Sequence, residues 1–397
     1  MRIGIDASRA SRTQHTGTEA YSWHLIRALI QSRRNHRITL YSPTELPESL
    51  GAGALGSAAD LKFAASAEDP GGDRYTSCVI PFPRLWTHLR LNWELRRHPP
   101  DLLFVPSHVL PLGCPVPAVV TVHDQGYLYY PEAHRWFDRW YLDSTTRRHA
   151  RSAACLIADS KATRADLMRH YGAAGDRIRV IYPGRDETLQ RVEDPAATAA
   201  VRAHYGISGE YLLYLGTLQP RKNLVRLMDA YVRAQSAAAQ VDPGDRPGQR
   251  NPQLVLAGKK GWLCDDLLRH TGGLGLKGQV VLPGYVATEH KAALLSGALA
   301  LVFPSLYEGF GMPVLEAMAC GVPVLTSNVS SLPEVAGDAA LMVDPLSVDD
   351  IAAAITRLMG SYDLRRSLIE RGYQQAQRFS WQRAAAQLWE VFDSFAP

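Results

Sequence analysis

The sequence predicts an α/β chain built as two doubly wound, parallel-sheet domains. Three observations carry this. The chain has 397 residues, too many for one ordinary core and suited to two domains of roughly 180–200 residues each. Short apolar runs alternate with helical patterns from end to end, the order expected of parallel sheets covered on both faces. Midway, Pro183-Gly184 gives way to a charged, turn-rich stretch, Asp186–Pro195, which reads as an interdomain linker. The predicted boundaries are 1–186, 187–379 and a final helix over 380–397.

In the first half the predicted strands are Arg2–Asp6, Arg37–Tyr41, Leu102–Val105, Ala118–Val122, Leu156–Ala158 and Arg179–Tyr182. Thr18–Gln31 and Ala162–Tyr171 read as helices, and Ser8–Glu19 as a long polar loop. The second set of strands is Tyr211–Tyr214, Gln253–Ala257, Gln279–Leu282, Leu299–Phe303 and Val322–Thr326. Ala234–Pro252 reads as a surface insertion. Ser380 is placed to cap a last helix in which Trp381, Ala385, Leu388 and Phe392 share one face.

Composition narrows the function classes. Apolar content of 46% and charged content of 21% are those of a soluble globular protein. A net charge of +4 is too mild to imply nucleic acid. Met1-Arg-Ile-Gly-Ile-Asp6 runs straight into a strand and does not read as a signal peptide. The longest apolar run, 292–303, is broken by Ser296 and Gly297 and falls short of the roughly 20 residues a bilayer span needs. Five scattered cysteines without a C-x-x-C read as reduced thiols in a cytoplasmic protein. No metal-ligand spacing is visible.

The most informative segment runs from Leu299 to Leu325. Two apolar strands flank a glycine-rich loop and a helix of about two turns, with Pro313 at the helix start and Gly321 just past its end. The loop and first turn (Gly309, Phe310, Gly311, Met312, Val314, Leu315) present backbone N–H groups with no intrahelical partner, a place for a phosphate. Glu308 and Glu316 stand on either side of that anion site. Carboxylates are poor phosphate ligands but good acceptors for sugar hydroxyls. Together these features describe a sugar-nucleotide site. Upstream, Tyr211–Gly216 leads through a turn to Arg221-Lys222, two cations at the carboxyl end of a strand and suited to a diphosphate. Gly51-Ala-Gly53-Ala-Leu-Gly56 matches a dinucleotide fingerprint by letter, but no strand precedes it and no helix follows, so it reads as a loop.

The 308–316 segment resembles the Glu-x7-Glu signature of the retaining glycosyltransferases of family 4. That resemblance implies the GT-B architecture: two Rossmann-like domains whose parallel sheets face a central cleft, with the C-terminal helix crossing back to the N-terminal domain. It also implies that Glu308 contacts the donor hexose and Glu316 the ribose. Lys222 matches the family's diphosphate-binding loop; where relatives place an Arg directly after the glycine this chain has Thr217, and Arg221 takes that role. His123, ending the strand Ala118–Val122, resembles the family's active-site histidine and would bond a donor-sugar hydroxyl, whereas Asp124 reads as a turn or cap. Gly17 stands where relatives carry a glycine-rich turn near the diphosphate. Gly284 and Tyr285, with Gly258–Trp262, resemble the loops beside the nucleoside.

The implied activity is transfer of a hexose, with retention, from a nucleoside-diphosphate sugar to a hydroxyl of a glycan or lipid-linked glycan, with no cofactor and no metal. Leu218–Asn223, Val302–Gly311 and Ser331–Asp338 look most like bacterial mannosyltransferases of surface polysaccharides, which makes GDP-mannose the expected donor. A UDP-sugar-dependent glucosyl or N-acetylglucosaminyl transferase is the alternative, with an epimerase or phosphorylase on the same architecture behind it. A non-catalytic sugar binder fits less well, having no use for a diphosphate cage. Phe82–Arg97 interleaves aromatic and basic residues, either a core face with snorkelling arginines or a peripheral contact with the inner face of a membrane.

Overall fold

The computed structural model describes residues 1–12, 17–32, 35–47, 50, 75–82, 84–107, 109–241, 251–261, 269–270, 276 and 278–396. The stretch 51–56, Trp262 and Cys264 lie outside them. The described chain divides into two compact units: Met1–Gln125 with Phe137–Gly184 and Phe379–Pro397, and Gly126–Trp136 with Arg185–Arg378.

The first unit holds a parallel sheet of seven strands: β1 (Arg2–Asp6), β2 (Arg37–Ser42), β3 (Tyr75–Val79), β4 (Leu102–Val105), β5 (Ala118–Val122), β6 (Cys155–Ala158) and β7 (Ile178–Val180), in the order β3-β2-β1-β4-β5-β6-β7. β4, β5 and β6 are buried along their whole length, which is why they read as apolar runs, interrupted only by Thr121 in β5. The edge strand β3, with neighbours on one side only, exposes much of Tyr75-Thr-Ser-Cys-Val79. Its composition carries no apolar signal, and the strand is not visible in the sequence. The predicted strand Arg179–Tyr182 starts one residue earlier and ends two residues earlier, as β7.

The predicted helix Thr18–Gln31 starts one residue earlier, at Gly17, and runs to Gln31. Buried Glu19 sits in its first turn, held by Arg9 at 3.2 Å, and a carboxylate there complements the helix dipole. The helix Trp381–Asp393 packs on this one. Ser380 Oγ accepts from Arg383 N at 3.1 Å, and Trp381, Ala385, Leu388 and Phe392 are buried. Trp389 Nε1 donates to Ser32 Oγ at 2.5 Å, and the Phe392 ring meets Phe104 of β4 edge-on at 5.5 Å.

The second unit holds six parallel strands: β8 (Tyr211–Leu215), β9 (Gln253–Ala257), β10 (Val280–Gly284), β11 (Ala300–Phe303), β12 (Val324–Ser327) and β13 (Ala340–Val343), in the order β10-β9-β8-β11-β12-β13. The winding reverses between β8 and β11. At such a switch point the loops leaving the two strands diverge to opposite faces, opening a crevice at their carboxyl ends. The helix Leu224–Val241 continues through the first part of the predicted insertion; 242–250 lie outside the described residues. Gly126–Trp136 belongs to this unit: the Tyr129 ring stacks on Tyr307 at 5.1 Å.

Both sheets being parallel and helix-covered, the chain is an α/β protein of two Rossmann-like domains.

Candidate active site

In the second unit the switch point is occupied. Leaving β8, the chain makes a turn of 3-10 helix, Pro220–Lys222, and then Asn223 in the left-handed conformation, φ 63°. Asn tolerates that conformation better than most residues. Its buried amide also fixes the turn, donating to Pro304 O at 3.1 Å and Pro345 O at 2.6 Å. Lys222 is thereby aimed at the loop after β11, where Nζ donates to Glu308 Oε1 at 2.5 Å. Both residues are under 10% exposed, so each charge depends on the other for compensation. Arg221 Nη1 donates to Tyr307 O at 3.2 Å, while Leu306 N donates to Arg221 O at 2.9 Å. Lys222, Arg221 and Glu308 are thus brought together from loops that lie far apart in sequence.

The loop after Glu308 is held from below. Glu308 N donates to Ser330 Oγ at 3.0 Å, and Ser331 Oγ bonds Glu308 O at 2.9 Å and Phe310 O at 2.7 Å. Gly311 caps the helix Met312–Ala319 with φ 110°, and a Cβ there would lie 2.7 Å from Leu332 Cδ2. Only glycine combines that backbone with that approach. Pro313 stands in the first turn and Gly321 follows the end. Gly309, Phe310, Val314 and Leu315 are buried, and Met312 is partly exposed.

Glu316, on the same helix, is 7% exposed. Its Oε1 accepts from Lys291 Nζ at 2.5 Å, a lysine on the helix Thr288–Ser296. Each signature carboxylate therefore has its own lysine. Burial, with the Glu316 charge next, pushes the thiol of Cys320 up to about 12, so it is an inert neutral group.

Gly284 ends β10 with φ 80°, and Gly258 N donates to Gly284 O at 2.8 Å. A Cβ on Gly258 would fall 1.9 Å from Gly216 O, so the loops after β8, β9 and β10 converge closely enough to exclude a side chain. Tyr285 is 43% exposed with Lys259 Nζ 4.9 Å over its ring.

His123 and Gly17 belong to the first unit. Gly17 is exposed, with open space where a Cβ would stand. His123 follows β5, with Nδ1 2.6 Å from Asp159 Oδ2, beyond β6, and Nε2 3.0 Å from Pro106 O, beyond β4. The Tyr21 ring meets it edge-on at 4.7 Å. Burial lowers the affinity of the imidazole for its proton, but the Asp159 charge and hydrogen bond and the Pro106 carbonyl more than reverse this, so the His123 pKa is raised. Asp159 is raised too, by burial, partly offset by His123.

The structure adds residues that sequence reasoning missed: Asp159, Lys291, Asn223 as a brace, and Ser330 and Ser331 under the glycine-rich loop. Asn223 and Ser331 lay within quoted segments; Ser330, Lys291 and Asp159 had no motif of their own. The stripe Phe82–Arg97 divides between two environments. Trp86, Leu91 and Leu95 are core, while Phe82, Leu85, Leu89 and Trp93 are exposed, and Arg90 and Arg97 lie over the Trp93 ring at 4.5 and 5.4 Å. No described helix is long and apolar enough to cross a membrane.

Comparison with known proteins places this geometry. The profile described as Glycosyltransferase Family 4 matches residues 15–189, and that described as Glycosyl transferases group 1 matches residues 202–375. O-antigen chain mannosyltransferase B of Escherichia coli is 32% identical over 389 residues, covering 98% of each chain. The serotype-specific mannosyltransferase WbdA of Escherichia coli is 29% identical over 251 residues, 63% of this chain and 29% of that one. Among solved structures, Anabaena HepE in complex with UDP and glucose superposes with a TM-score of 0.70 over 99% of both chains at 19% identity, a likeness that bears on the fold. The protein is a glycosyltransferase of GT-B fold, and the chain belongs to glycosyltransferase family 4.

Proposed function

We propose that this chain transfers a mannosyl residue from GDP-mannose to a hydroxyl of a growing surface glycan, retaining the anomeric configuration and using no metal ion. The observation that carries the reading is the Lys222–Glu308 pair at the β8/β11 switch point, beside the N-terminus of the helix Met312–Ala319. Lys222 and Arg221 meet the charge that develops on the leaving diphosphate, with the helix N-terminus as a fixed dipole. Glu308 accepts from a hexose hydroxyl, and Glu316, oriented by Lys291, accepts from the ribose. His123 is assigned a hexose hydroxyl by resemblance. No side chain among the described residues is assigned as a nucleophile; the acceptor attacks the anomeric carbon from the face the diphosphate leaves, and the departing phosphate takes the acceptor proton.

Mannose is favoured by the mannosyltransferase likeness over 98% of the chain; the UDP and glucose seen with HepE keep a UDP-glucose reading in the test. The acceptor is a lipid-linked glycan at the inner membrane face, a reading supported by exposed Leu85, Leu89 and Trp93 among Arg84, Arg90 and Arg97. Incubation with GDP-mannose or UDP-glucose, with and without a mannan oligosaccharide, tests this. An α-linked mannosyl product that requires the acceptor supports the proposal. Glucosyl transfer, or turnover of the donor to a free epimer without acceptor, overturns it.

A further inference from the structure

The proton inventory around His123 is constrained on both sides of the ring. Pro106 O has no hydrogen to give, so Nε2, 3.0 Å away, must carry one. A neutral imidazole with its hydrogen on Nε2 has a bare Nδ1, and a bare nitrogen 2.6 Å from an ionised carboxylate oxygen is two lone pairs facing each other. A second proton must lie between Nδ1 and Asp159 Oδ2. The two side chains are 12% and 6% exposed, so that proton is shielded from bulk water. Other described groups also face the pair. Tyr21, from the helix Gly17–Gln31, presents its ring edge and bonds Thr121 with its hydroxyl at 3.4 Å; Thr163 Oγ1 donates to the His123 carbonyl at 3.3 Å. Asp124, next in the chain, adds negative charge that holds the proton.

We infer that Asp159 is a positioning residue that keeps hydrogens on both nitrogens of His123, so that the ring is held between Pro106 O and Asp159 and is withheld from acting as a general base. This rests on the proposed function and deepens it: with His123 unable to accept, the acceptor proton has only the leaving phosphate to go to. Asp159→Asn removes the charge that retains the second proton. His123 then becomes neutral near neutral pH, keeping Nε2–H on Pro106 O and leaving a bare Nδ1 that can accept from the Asn amide.

Nitrogen-15 NMR of the full chain labelled at histidine, with His123 assigned by its loss in His123→Asn, reads the protonation state directly. In the wild type at pH 7.5 both His123 nitrogens are expected to be protonated, and in Asp159→Asn the midpoint is expected to fall by at least one pH unit. A wild-type His123 with one bare nitrogen at pH 7.5, or an unshifted midpoint in the variant, overturns the inference. Because the wild-type spectrum decides by itself, a variant that fails to fold leaves the test intact. In the transfer assay kcat is expected to fall at least tenfold in Asp159→Asn with donor KM changed less than threefold, and Asp159→Glu to recover part of it; a change confined to KM overturns the positioning role. If the spectra behave as expected and no mannosyl transfer is found in any protein, the proposed function fails while the assignment of Asp159 stands.

Discussion

Lys222 Nζ and Glu308 Oε1 lie 2.5 Å apart, joining the loop after β8 to the loop after β11 across the point where the second sheet reverses its winding. Neither residue is more than 10% exposed. The pair places a cation and a hydroxyl acceptor side by side where such sheets bind ligands. A diphosphate and a sugar, joined at the anomeric oxygen, need that adjacency.

Because the two charges are buried together, removing one should cost more than removing both. Lys222→Met and Glu308→Gln are each expected to destabilise the second unit by about 3 kcal/mol, and the double variant by less than either. Urea unfolding of the three variants checks this; a double variant as unstable as the sum of the singles contradicts it.

The two carboxylates should separate kinetically. Glu316→Ala is expected to weaken nucleotide binding, and Lys291→Met to raise donor KM severalfold with kcat changed little, since Lys291 holds Glu316, the proposed ribose acceptor. Glu308→Ala should cut kcat by about a hundredfold, a transition-state interaction lost. Steady-state kinetics with donor varied separates them, and unchanged turnover in Glu308→Ala would falsify the assignment.

Transfer is expected to continue in excess EDTA, because Lys222 and Arg221 carry the positive charge the diphosphate needs. Full loss of activity on chelation, restored by Mg²⁺ or Mn²⁺, is the contrary result.

Stability should depend on pH through His123. Its pKa is raised above the ordinary 6.5, so the folded chain keeps a proton that the unfolded chain releases. The contribution is fully present below about 6.5 and is lost as pH rises through the folded value. Asp159, also raised, has the same sign, starting from its ordinary 3.8. Unfolding free energy should therefore fall more steeply in the wild type than in Asp159→Asn as the pH rises above about 6.5. Parallel curves for the two proteins count against the shared proton.

The sequence made the fold legible wherever burial was two-sided. Strands such as β4 and β11 are apolar throughout because helices cover both faces. The edge strand β3 has no such signal. β13, at the other edge, was missed as well: Ala340-Leu-Met-Val343 is apolar but short and only partly buried. The glycine-rich loop was legible because its backbone requires glycine, as Gly311 shows. Lysine on a helix surface is ordinary, so Lys291 gave no warning of Glu316. Asp159 was equally silent, since its partner His123 stands 36 residues away and only the pairing of β5 with β6 brings them together.

The central claim is that Lys222 and Glu308 form a donor site for a nucleoside-diphosphate sugar. Calorimetric titration of GDP-mannose, GDP and UDP into the wild type and Lys222→Ala tests it most directly. GDP-mannose and GDP are expected to bind the wild type, with GDP at least tenfold tighter than UDP, and to bind Lys222→Ala at least tenfold more weakly, a loss of about 1.4 kcal/mol. Equal affinity of the wild type and Lys222→Ala for GDP-mannose would contradict the account.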